Sequence, residues 1–225
     1  MVQDLGPQFI NSVAAARILD SLSCGQTLIM KIVQQLSNSI KSAVNIILLS
    51  MHREPGLNGE KALSNGPSLF MKELQEFLHR VWNLHMAPFN DKHMLALCGR
   101  EMAERCIELF VRNVAIFRPI SQHGRNRLKT DCHHLEATLN PIAGDLATLG
   151  RPFRLLHSLA TLITMSPENL SAQTTETDGS VPPYIVLFLL FGHAGNDLTS
   201  PHTAAGWPND KVIIWLDEHQ SEKER

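Results

Sequence analysis

The stretch AERCIELFVRNVAIF, Ala103–Phe117, decides how this chain folds. Ala103, Ile107, Phe110, Val114 and Phe117 recur at alternating steps of four and three. That spacing places all five on one stripe of an α-helix. Pro119 stops the helix, because it lacks an N–H and restricts the residue before it. A second stripe follows at Leu128, Cys132, Leu135, Leu139, Ile142, Leu146 and Leu149, again in steps of four and three. The polar turn Ser121–Gly124 joins the two helices into a hairpin whose halves must bury their stripes against each other or their neighbours. Burying five such side chains contributes roughly 8–15 kcal/mol before conformational entropy is subtracted. The hairpin over 103–149 is therefore the expected core.

Outward from it, the same period recurs. Phe70, Leu74, Phe77, Val81 and Leu84 mark a helix over Leu69–His85, and Ile29, Ile32, Leu36, Ile40, Ala43 and Ile47 mark another over Gln26–Met51. Asn11–Ser23 reads as a short alanine-rich helix behind a frayed start at 1–10. Arg53–Gly66 holds one Pro, three Gly and two Asn and reads as a loop. Pro67 fits a first helical turn. Asp91 is a candidate N-cap for the central hairpin. Pro141 lies inside the second stripe without changing its phase, which implies a kink or a restart capped by Asn140. Phe153–Met165 and Asn209–His219 are further helices. The apolar run Ile185–Phe191 fits a buried strand or a buried helix by its pattern, and its helical surroundings favour helix. These elements predict an all-α fold of antiparallel helical bundles. The expected organisation is a bundle over 1–167, a linker over 168–180 and a smaller helical segment over 181–225, incomplete at its C-terminal end.

Composition supports a globular chain: of 225 residues, 44% are hydrophobic and 19% charged. A net charge of -2 implies no global attraction to nucleic acid or to an anionic membrane. The four cysteines are scattered rather than framed as disulfides, which predicts a reducing, cytosolic setting. The opening MVQDLGPQF has neither a basic region nor a long apolar run, so no leader is read. No apolar run approaches the length of a membrane span.

Chemistry is sparse. Of the 11 histidines, His133 and His134 are adjacent, so they point about 100° apart on a helix and cannot share a metal. Cys98 and Cys106 lie roughly 12 Å apart along a helix, too far for one ion. No GxSxG, Walker or GxGxxG pattern occurs. No catalytic, cofactor-binding or metal-binding residues are assigned. One charge pattern stands out: from Leu109 to Thr130 there are five bases, Arg112, Arg118, Arg125, Arg127 and Lys129, and no acid. The plain reading is a solvated turn with Arg118 complementing a helix C-terminus. The functional reading is a basic rim for an acidic partner or for lipid headgroups.

The blocks LFMKELQEFLHRV (Leu69–Val81), CIELFVRNVAIFRPI (Cys106–Ile120), GRNRL with the later LE and LNPI (Gly124–Ile142), and WLDEHQSEKER (Trp215–Arg225) resemble, in order, the subunit-five family of the conserved oligomeric Golgi complex. The resemblance implies a non-enzymatic, cofactor-free tethering subunit with the stacked helical bundles of helical-rod tethering complexes. It implies peripheral association with the cytoplasmic face of the Golgi membrane, and a role in intra-Golgi retrograde vesicle transport and glycosylation. Implied partners are the other subunits of that complex, chiefly subunit seven, together with SNAREs, Rab GTPases and golgins; nucleic acid is not among them. Family members are longer, so the resemblance also implies a fragment, a short isoform or an incomplete gene model. Such a truncation would leave Val212, Trp215 and Leu216 poorly covered. The alternative is an all-α adaptor or scaffold of another membrane-trafficking assembly.

Overall fold

The computed structural model describes residues 7–59, 66–89, 91–176, 181–194 and 198–220. All regular structure among them is helical. The longer helices are α1 (Pro7–Leu49), α3 (Leu69–Val81), α4 (Lys92–Ile116), α5 (Gln122–Ala143), α6 (Arg151–Leu162), α7 (Pro167–Glu176), α8 (Pro183–Ala194) and α10 (Asn209–Gln220). Single-turn helices α2 (Pro55–Asn58) and α9 (Pro201–Ala204) lie between them, and a 3₁₀ turn covers Leu146–Leu149. The chain forms two compact units, 1–40 and 41–225, divided inside α1.

In the first unit, α1 runs straight through Gly25, where two helices were expected. A β-carbon at Gly25 would meet nothing within 4 Å. A single glycine costs a helix interior only about 1 kcal/mol, too little to break it. Ile18, Leu19, Leu22, Leu28 and Ile32 of this unit are exposed.

The second unit is organised around α4, which packs against α5, α6, α8 and α10. The expected stripe is buried in full, and so are its flanks: every residue from Leu109 to Phe117 is buried. The hairpin partner forms as predicted, with Leu128, Cys132, Leu135, Leu139, Ile142, Leu146 and Leu149 all buried. Its start is set by Ser121, whose hydroxyl accepts the Gly124 N–H at 2.9 Å. Asp91 caps α4 as expected, accepting the N–H groups of His93 and Met94 at 3.0 Å. At Pro141 the helix neither restarts nor stops; α5 continues to Ala143. The restart comes later. Gly144, at φ 75°, turns the chain, and Asp145 accepts the Ala147 N–H at 3.0 Å to open the 3₁₀ turn that carries Leu146 and Leu149.

Three expectations change. Pro67 precedes α3 rather than opening it; Ser68 occupies the N-cap position. The expected linker contains α7, which packs on α8 and buries Leu170 completely. Its leucine was too isolated in a polar sequence to reveal an amphipathic face. The segment 181–225 does not stand apart, because its described helices α8 and α10 pack on α4, and Val212, Ile213 and Leu216 are buried. Residues 221–225 of the WLDEHQSEKER block lie outside the described residues.

At two glycines the backbone of another segment comes close. A β-carbon on Gly124 would lie 2.1 Å from the Leu57 carbonyl oxygen, and one on Gly99 2.3 Å from that of Ile142. Both obstacles are backbone atoms, so relief requires moving a helix or turn. Gly124→Ala is therefore expected to destabilise the fold by about 1–3 kcal/mol in urea unfolding. Gly25→Ala, in open space, is expected to raise helical content or stability by about 0.5–1 kcal/mol.

Candidate functional site

The basic cluster read between Leu109 and Thr130 does not stay together. Burial of α4 on all sides takes Arg112 inside, where it is 3% exposed. It donates to an Asp217 oxygen at 2.5 Å and lies 3.6 Å from Glu108. Arg105, one helical turn before Glu108, grips the same Asp217 with two bonds of 2.7 and 2.8 Å. Burial alone would raise the Asp217 pKa, but these two guanidiniums hold it below the usual carboxylate value. The ion pairs join α10 to α4. A buried cation needs such a partner, since leaving it alone in the interior costs several kcal/mol.

Arg127 also turns inward, at 7% exposure. It lies 3.3 Å from Glu54, itself buried, and donates to the Pro67 carbonyl at 3.4 Å. Glu54 accepts the Leu69 and Phe70 N–H groups at 2.9 and 3.3 Å. The first turn of α3 thus receives its anion from a residue far back in the chain, which satisfies donors that a helix start leaves open. Asp131, fully buried, accepts the Ser68 N–H at 2.9 Å and its hydroxyl at 2.6 Å. Burial pushes the Asp131 carboxyl up to about 6; the Ser68 bonds oppose this, and the nearby Glu54 charge adds to it.

The remaining three bases face outward or lie at the edge. Arg118 donates to the Leu198 carbonyl at 2.7 Å, just beyond the end of α8. Arg125 donates to Gln122 at 2.5 Å and abuts the imidazole of His193 on α8. Lys129 is exposed. His193 was not singled out from the sequence, because only the packing of α8 against this corner brings it to Arg125. Burial lowers the His193 pKa, and the Arg125 charge lowers it further. His133, four residues after Lys129 and exposed, was weighed only as a metal ligand.

A separate open notch of about 300 Å³ is lined by His133, Glu136, Asn140, Asp145 and Phe153, among others. Its acids are already engaged: Asp145 caps the 3₁₀ turn, and Glu136 lies 3.7 Å from His157. Among the described residues no three His, Cys, Asp or Glu side chains converge to hold a metal. No described helix is long and apolar enough to cross a membrane. Cys106 and Cys132 are buried in the core, and burial raises both thiols, Cys106 to about 12. Neither is an ionised nucleophile near neutral pH.

The buried charged groups Arg112 and Arg127 hold helices to one another, and the architecture is an all-α bundle. Along its whole length the chain is similar to a segment of conserved oligomeric Golgi complex subunit 5. It is 52% identical to the Drosophila melanogaster protein over 227 residues, covering all of this chain and 30% of that one. Against the Mus musculus protein the identity is 32% over 219 residues, 96% of this chain and 26% of the relative. The Arabidopsis thaliana protein is 24% identical over 202 residues, covering 85% and 24%. The chain therefore spans less than a third of the length of these relatives. No family model and no solved structure matches it.

The Asp131 geometry has a measurable pH signature. A carboxyl raised from 3.8 to about 6 binds its proton more tightly in the folded chain, so this group's contribution to stability falls as pH rises through that window and is level above it. Asp131→Asn keeps one acceptor and one donor for Ser68. The variant is expected to lose this slope and to be at least as stable as the parent at about pH 7 in urea unfolding. In contrast, Asp217→Ala removes the carboxylate shared by Arg105 and buried Arg112, leaving Glu108 beside them, and is expected to cost about 1–3 kcal/mol.

Proposed function

We propose that this chain is part of a non-catalytic subunit of the conserved oligomeric Golgi tethering complex. It acts through protein–protein contacts in intra-Golgi retrograde vesicle transport and, through that, in Golgi glycosylation. The observation that carries the reading is 52% identity to the named Drosophila subunit over the whole length of the chain. The all-α fold suits such a role: the buried ionic groups Arg112 and Arg127 join helices of the second unit, and its outer faces are free for binding. In this reading the subunit works on the cytoplasmic face of the Golgi membrane as a peripheral component, its helices extended by those of the longer protein into a helical rod. Its close partner is subunit seven, with SNAREs, Rab GTPases and golgins as further contacts. It turns over no substrate and holds no cofactor.

Affinity capture from cell extract, with this chain as bait, tests the reading. Sibling subunits of the complex are expected among the captured proteins, subunit seven foremost. A bait shown by circular dichroism to be folded, yet returning none of them, contradicts an assembly surface within these residues.

A further inference from the structure

The outward side of α5 carries Arg125, Lys129 and His133 at successive steps of four. Residues four apart sit one above another on a helix, so the three form a ridge about 12 Å long with a cation or imidazole about every 6 Å. The first acid on α5, Asp131, is fully buried and bonded to Ser68. The next, Glu136, lies beside His157. Among the described residues none of the three ridge side chains meets a carboxylate within ion-pair distance. At the N-terminal end of the ridge Arg125 lies against the imidazole of His193, which burial and the Arg125 charge push toward its neutral form while Glu168 opposes this. The Arg125 Nε is buried with no hydrogen-bond partner among the described residues. The half-exposed Arg125 guanidinium has no carboxylate partner among them, and an acidic group reaching its outer side would form a charge-assisted bond with it.

The shape selects the kind of anion. Beside the three ridge residues α5 exposes Gln122, Asn126, Thr130, Ala137, Asn140 and, at its far end, Pro141, and no large apolar side chain. A bilayer-binding face needs apolar groups to insert or a broad basic patch, and this ridge is narrow and polar. It matches a linear partner whose own charges repeat at the same spacing. We propose that the Arg125–Lys129–His133 ridge of α5 is a docking surface for an acidic protein segment, an α-helix with Asp or Glu at every fourth position. This rests on the reading of the chain as an interaction subunit and names the chemistry of one contact. Arg112 and Arg127 take no part, because their charges are spent inside the bundle.

The probe is a fluorescent helical peptide with Glu at every fourth position, titrated with the full 225-residue chain, beside a matched peptide with Gln at those positions. The Glu peptide is expected to bind at least tenfold more tightly than the Gln peptide, and to weaken as salt is raised. Arg125→Gln with Lys129→Gln is expected to reduce that affinity about tenfold or more. Lys72→Gln with Lys211→Gln, both exposed and off α5, is the charge-matched control and is expected to change nothing. Circular dichroism checks that each variant is folded. Equal binding of the two peptides, or an unaffected double variant, overturns the proposal. Co-sedimentation with vesicles of phosphatidylcholine and about one-third phosphatidylserine, lost in the double variant while the peptide is ignored, overturns it in favour of a lipid surface. A chain that captures sibling subunits but ignores the Glu peptide fails this inference alone and leaves the tethering role standing.

Discussion

Burial of α4 on every side, from Leu109 to Phe117, is the constraint on which the second unit depends. A helix with one apolar stripe can leave its polar residues in water, but one surrounded by α5, α6, α8 and α10 cannot. Arg112 and Asn113 must then find partners indoors. Asn113 donates to the Leu109 carbonyl at 2.8 Å and pairs with a ring nitrogen of His52 at 3.1 Å. His52 in turn stacks on Phe117 with ring centroids 5.5 Å apart, and burial lowers its pKa toward the neutral form. Arg112 needs a carboxylate, and Asp217 supplies it from α10. The last helix is thus placed by charge as well as by its apolar side chains.

A comparable arrangement holds α3. Its first turn is anchored by Glu54 from the preceding turn and, through Ser68, by Asp131 from α5. Gly124 lets the start of α5 lie against the Leu57 carbonyl, and the Ser121 hydroxyl donates to the Leu57 and Gly59 carbonyls at 3.1 and 3.0 Å. Three segments, the turn over 54–59, the start of α3 and α5, meet at this corner through backbone and ionic contacts that tolerate little displacement. Such joints fix the start of α3 against α5 and the turn before it.

The periodic stripes of α4 and α5 were legible because each apolar residue fell at the helical spacing, and the structure buries them as sets. The α3 stripe, in contrast, is buried at Phe70, Leu74 and Val81 but half-buried at Phe77 and exposed at Leu84. What could not be read was the environment of polar residues between the stripes. Counting bases from Leu109 to Thr130 groups Arg112 and Arg127 with Arg125 and Lys129, yet the partners that separate them, Asp217 and Glu54, lie far off in sequence. His193 reaches Arg125 only through the packing of α8, and no local signal marks it. Helix α7 was hidden for a different reason. A polar decapeptide with one deeply buried leucine has almost no amphipathic pattern, and its helicity follows from docking on α8. Gly25 and Pro141 looked like breaks, but each lies where a continuous helix can absorb it.

The central claim is that α4 is the helix on which the second unit is hung, and native-state hydrogen exchange followed by mass spectrometry tests it most directly. Amides of Leu109–Ile116 are expected to exchange only through global unfolding, and to be the slowest in the chain. Exchange of this stretch at the rate of α10, or at that of the exposed segment of α1, would contradict the account.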